Sequence, residues 1–173
     1  MNGSELYIGT PSGVVLCIDS ISDELQLGGR IYHSYSKEAA EFSSMTQALL
    51  FMEKFYDSIK FPFPGTNDRH FGIDASGSVV VPYKRWERPT RKLSDSEMLR
   101  KSGEKGTFII RVEQRQHSSW QGRVTWVESG ETVAFRSALE LLKLIDEALE
   151  SGGTLGGVEE EPVEDSGSQM EAV

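Results

Sequence analysis

The sequence predicts an α+β protein of two βββα units that repeat one plan, with helices packed on antiparallel sheet and a disordered acidic tail. Three observations predict it. The stretch Ser119–Glu150 reads as strand, turn, strand and helix. A stretch 93 positions upstream follows the same order. Residues 151–173 hold six carboxylates and no Lys or Arg.

From the N-terminus, Leu6-Tyr7-Ile8-Gly9 reads as a short strand, Thr10-Pro11-Ser12-Gly13 as a turn and Val14–Asp19 as an apolar strand. Gln26–Tyr35 follows, with Leu27, Gly29, Ile31 and His33 on one face and Arg30 and Tyr32 on the other. Ala39–Phe42 closes the three-stranded unit. Met45, Ala48, Leu49, Met52, Phe55, Tyr56 and Ile59 recur at helical spacing and predict a helix over 44–59. Lys60-Phe61-Pro62-Phe63-Pro64-Gly65 stops it.

In the middle, Gly77–Tyr83 reads as a short strand, with Pro82 at its edge or end. Ser94-Asp95-Ser96-Glu97 has the capping-box pattern for a short helix over Ser96–Lys101. In the second unit, Thr107–Val112 is an apolar run. Trp120, Gly122, Val124 and Trp126 alternate with Gln121, Arg123, Thr125 and Val127, which gives a strand with one apolar face. Glu128-Ser129-Gly130-Glu131 is turn chemistry, and Thr132–Phe135 returns as a strand. Ser137 with Glu140 predicts a helix start, and Ala138, Leu141, Leu142, Ile145 and Leu149 its apolar face. Glycines end it near Ser151-Gly152-Gly153.

The 93-residue offset runs without a gap. It places Gly29-Arg30-Ile31 on Gly122-Arg123-Val124, Phe42 on Phe135, Ser44 on Ser137, Gln47 on Glu140 and Leu49 on Leu142. Upstream it places Val14–Asp19 on Thr107–Val112. Duplication accounts for the match, against the alternative of shared turn and cap chemistry. The expected organisation is one domain over 1–150, with units at about 13–60 and 106–150, a basic connector over 61–105, and the tail over 151–173.

The net charge is −9, of which the tail supplies −6. The tail is rich in Gly, Ser and acid, too poor in apolar surface to offset ordering entropy. The single cysteine, Cys17, excludes an internal disulfide framework and reads as a small core residue. The N-terminus shows no basic segment followed by an apolar one, and no apolar run spans a bilayer. A cytoplasmic setting with no membrane association is therefore expected.

No catalytic motif stands in the sequence: no phosphate-binding Gly loop, no Gly-x-Ser-x-Gly and no His-Glu-x-x-His. His33, His70 and His117 are far apart and none has metal-ligand spacing, so no catalytic residue, cofactor or metal is expected. Two features are candidates for binding. If Phe108, Ile110 and Val112 face the core, Arg111, Glu113 and Arg115 face out, together with Arg123 and with Arg30 and Tyr32 of the first unit. Such arginines could take phosphates or carboxylates through their planar fork, or form ordinary cross-strand ion pairs. The second feature is Lys84–Lys92, with five Lys or Arg among nine residues. There Lys84, Arg85 and Arg88 flank Trp86, a pattern that could track a nucleic-acid backbone and stack a base.

The pattern Arg115-Gln116-x-x-Ser119-Trp120-Gln121-Gly122, then Phe135-Arg136-Ser137 and the helix to Asp146, resembles a family of short, mostly uncharacterised proteins from clostridia-like Firmicutes. The resemblance covers roughly residues 25–150. It implies a bacterial host and assigns no activity or site residue. Anti-CRISPR proteins are an analogy of class only, without a residue match.

Taken together, the expected function is a non-enzymatic regulator, adaptor or inhibitor that binds a protein partner. The alternatives are nucleic-acid binding through the basic connector and the sheet arginines, and anti-CRISPR-like inhibition of a nucleic-acid enzyme through acidic surface. The sequence leaves the oligomeric state open.

Overall fold

Along the first strand, β1 (Val14–Ile21), Val14, Leu16 and Ile18 alternate with Val15 and Cys17, and both sets are buried. A strand with no polar face needs cover on both sides. A computed structural model, which describes residues 5–24, 26–65 and 89–154, shows what supplies it. The other strands are β2 (Leu27–His33), β3 (Ala40–Phe42), β4 (Gly106–Gln114), β5 (Gln121–Trp126) and β6 (Glu131–Phe135). The helices are α1 (Met45–Ile59), α2 (Asp95–Leu99) and α3 (Ala138–Thr154). All six strands form one antiparallel sheet in the order β3-β2-β1-β4-β5-β6. The α+β class is therefore as expected, with β1 and β4 at the centre. Among the described residues no helix is long and apolar enough to cross a membrane.

Helices α1 and α3 cover one face. Val14, Leu16, Ile18 and Ile31 meet Phe108, Ile110, Val112 and Val124 there, beneath Met52, Phe55 and Tyr56 of α1 and Leu141 and Ile145 of α3. The helix starts are built alike. Ser44 Oγ accepts from Gln47 N–H at 3.2 Å, and Ser137 Oγ accepts from Glu140 N–H at 3.1 Å. Gln47 and Glu140 reach back to the amides of Ser43 and Arg136, both one residue before the cap.

The opposite face carries a second core of Ile8, Val15, Cys17, Tyr32, Leu93, Met98 and Ile109. Its cover is the N-terminal segment and residues 89–105. Two expectations are corrected here. Leu6–Gly9 is irregular chain, not a strand, because it lies across the sheet and pairs with no edge. The later part of the 61–105 connector is a layer of the fold. Its Lys92 and Leu93 amides donate to the Ser34 carbonyl, and α2, capped by Ser94 and Glu97, buries Met98. The short helix starts one residue earlier and ends two earlier than the sequence suggests.

A bulge interrupts each outer pairing of the central strands, with Asp19 as the extra residue in β1 and Glu113 in β4. Beside them, Gly29 pairs with Ile18, and Gly122 with Val112. A Cβ on Gly29 would collide with the Cys17 carbonyl oxygen, and one on Gly122 with the Arg111 carbonyl oxygen. The hairpin in the first half is one residue longer, so the ungapped offset fails in β1. Val14 matches Phe108 in the face it presents, not Thr107, which shares the opposite face with Cys17.

Helix α3 continues through Gly152 to Thr154, so the boundary expected at 151 moves. The acidic tail beyond it lies outside the described residues, as does the strand expected over Gly77–Tyr83.

Candidate functional site

The expected row of outward arginines does not form one open face. Arg30 lies opposite the helices, as read from alternation, but is held there. Its Nε and Nη2 donate to the Asp19 carboxylate at 2.7 and 2.9 Å, and Nη1 donates to the Tyr32 hydroxyl at 2.8 Å. Nη2 also donates to the Ser102 carbonyl at 2.9 Å. The Arg30 ion pair holds the Asp19 carboxyl below its usual range. Tyr32 itself is buried beneath Lys101, whose Nζ lies 4.9 Å from the ring centroid.

Arg111 is on the expected face, yet only 2% of it is exposed, which corrects its reading as an outward residue. The N-terminal segment covers it: Nη1 donates to the Tyr7 carbonyl at 2.9 Å and the guanidinium stacks 4.4 Å from the Tyr7 ring. Nη2 donates to Thr125 Oγ1 at 2.9 Å.

Arg115 is 4% exposed and faces the helices, a second correction. The Glu113 bulge shifts the alternation by one residue, which simple period-two reading cannot register. Its guanidinium donates to Glu53 at 2.9 Å, Asp57 at 2.7 Å and the Pro62 carbonyl at 2.7 Å. Of the expected row only Arg123 is substantially exposed, 3.8 Å from Glu113. Lys84, Arg85, Trp86 and Arg88 lie outside the described residues.

The structure instead forms two grooves on the helix face, each between an outer part of the sheet and its helix. In the first, His33 and Tyr35 face Phe51, Lys54, Phe55 and Ser58 of α1. The His33 and Phe55 rings stack there with centroids 4.2 Å apart. In the second, Trp126 and Val133 face Leu144, Glu147, Ala148 and Ser151 of α3. Residues 93 apart occupy matching places: His33 and Trp126, Phe51 and Leu144, Lys54 and Glu147, Phe55 and Ala148, Ser58 and Ser151. Ala148 lines a cavity of about 150 Å³, and Phe55 holds the matching place in the other groove, whose volume is about 400 Å³. One rim carries a cation and the other a carboxylate. Overlaying the halves at the 93-residue offset could have found this contrast from sequence.

Burial pushes the Cys17 thiol up to about 11 and the His33 imidazole down to about 4. The Tyr35 amide donates to His33 Nδ1 at 3.2 Å. Among the described residues no group of three or more His, Cys, Asp or Glu side chains is placed to hold a metal ion. Comparison with known proteins finds no matching family model, no matching curated protein and no matching solved structure.

Proposed function

We propose that the chain is a non-enzymatic, cytoplasmic protein-binding module, a regulator, adaptor or inhibitor, built by duplication of one βββα unit. The observation that carries this reading is the pair of strand–helix grooves, alike in position and different in lining. Grooves between a sheet edge and a helix are a recurring way to receive a partner segment. Repeat origin explains the matching caps, bulges and glycines. Divergence explains Phe55 and Lys54 in one groove and Ala148 and Glu147 in the other. The nucleic-acid alternative loses Arg30, Arg111 and Arg115, each held by hydrogen bonds to other parts of the fold, and retains Arg123 and the Lys84–Arg88 stretch.

The test is capture of proteins on the immobilised full chain, with nuclease present, comparing the wild type with Phe51→Glu and Val133→Glu. Support is a captured protein that survives nuclease and is lost with one of the two variants. Recovery of nucleic acid alone, released by salt, overturns the reading, as does capture indifferent to both substitutions.

A further inference from the structure

We propose that the groove beside β6 receives an extended peptide that pairs with the β6 edge, seats one apolar side chain over Ala148 and carries Lys or Arg beside it. The inference rests on the protein-binding reading above and specifies the partner's chemistry.

Three features carry it. Among the described residues, strand β6 is hydrogen-bonded only to β5, and four of its five residues are exposed. Its outer row of amides and carbonyls is a template for another strand. The opposite edge strand, β3, has only three residues. Next to β6 lies the cavity of about 150 Å³, with Val124, Trp126, Val133, Leu144 and Ala148 in its lining. An apolar space of that size takes a benzene-sized group, so a Leu, Met or Phe side chain fits it. Val133, 46% exposed, stands between the edge and the cavity and would be covered by the same peptide.

Charge chooses the occupant. Glu131 on the strand and Glu147 on the helix line the cavity, and neither carboxylate is ion-paired among the described residues. A cationic residue flanking the anchor meets them, and an acidic one is repelled. A second copy paired β6 to β6 would bring both sets of carboxylates into one interface, which disfavours that occupant. The first groove has Lys54 in place of Glu147, so the preference for a cation belongs to one end of the sheet.

The experiment uses the full chain and fluorescent twelve-residue peptides of Val and Thr around a central Leu, with Lys or Glu at the neighbouring positions. Fluorescence polarisation should show the Lys peptides binding about fivefold tighter than the Glu peptides. Glu131→Gln with Glu147→Gln should remove that preference. Ala148→Leu fills the cavity and should weaken binding at least about tenfold with the fold intact. Val133→Arg, at an exposed position, should do the same by repulsion. Amides of β6 should gain hydrogen-exchange protection on binding. The proposal is overturned by no binding, by Lys-peptide binding indifferent to Ala148→Leu, or by a concentration-dependent dimer that Val133→Arg abolishes. A captured partner sensitive to Phe51→Glu but not to Ala148→Leu would leave the protein-binding reading standing and sink this one.

Discussion

The indole Nε1 of Trp120 donates to one oxygen of the Glu53 carboxylate at 2.5 Å, while Arg115 donates to the other at 2.9 Å. This carboxylate joins the first helix to the β4–β5 connection, two parts far apart in sequence. Glu53→Ala leaves the indole and a buried guanidinium short of an acceptor, with Asp57 as partial substitute. The expected loss is about 2 kcal/mol, read from the urea midpoint. Glu53→Gln, which keeps one of the two acceptor oxygens, should lose less.

Gly29→Ala and Gly122→Ala should both be strongly destabilising, by roughly 3 kcal/mol or more, since each new Cβ meets a backbone carbonyl that cannot withdraw. Gly130→Ala is the control. It has open space around its Cα but φ of +72°, so it should cost about 1 kcal/mol. Thermal melts of the three variants give the order.

Stability should fall as the solution is acidified from neutral pH. His33 titrates near 6.5 when unfolded and near 4 when buried, so between these values the unfolded chain binds the extra proton. Stability is full above about 6.5 and declines as pH drops toward 4. The full shift corresponds to about 3 kcal/mol, and partial exposure at the groove reduces it. The Asp19 carboxyl, held down by Arg30, adds a further loss below its unfolded value of 3.8. Urea midpoints at pH 7 and 5 should converge in His33→Phe.

Ser44→Ala and Ser137→Ala should each cost about 1 kcal/mol, because both hydroxyls accept the same amide in the first turn. Similar losses are expected, since Gln47 and Glu140 hold the preceding residue in the same way. Chemical denaturation of the two variants checks this.

Much of the fold was legible because its signals are local. Ser44 and Ser137 marked helix starts, alternation marked β2 and β5, and the apolar face of α1 was read residue by residue. The bulges were not legible, because an extra residue shifts alternation without changing composition. Arg115 was misplaced for that reason. Arg111 was misread because a chain crossing the sheet leaves no periodic trace, and only Tyr7 and Ile8 hinted at cover. The β6 groove draws its lining from β4, β5, β6 and α3, a convergence that no single stretch of sequence shows.

The central seam has a consequence for how the chain forms. Among the described residues every strand pair but one joins sequence neighbours, and β1–β4 alone is long-range. Each half can gather its hairpin and helix quickly, leaving the seam as the slow, topology-limited step. Until it closes, Val14–Ile18 and Gly106–Ile110 are apolar strands with open edges. Under the proposed duplication, the same seam would have served a lone ancestral unit as the contact between two identical copies about a two-fold axis. Fusion would then have made that contact intramolecular and released the outer grooves from symmetry, leaving each free to acquire its own ligand.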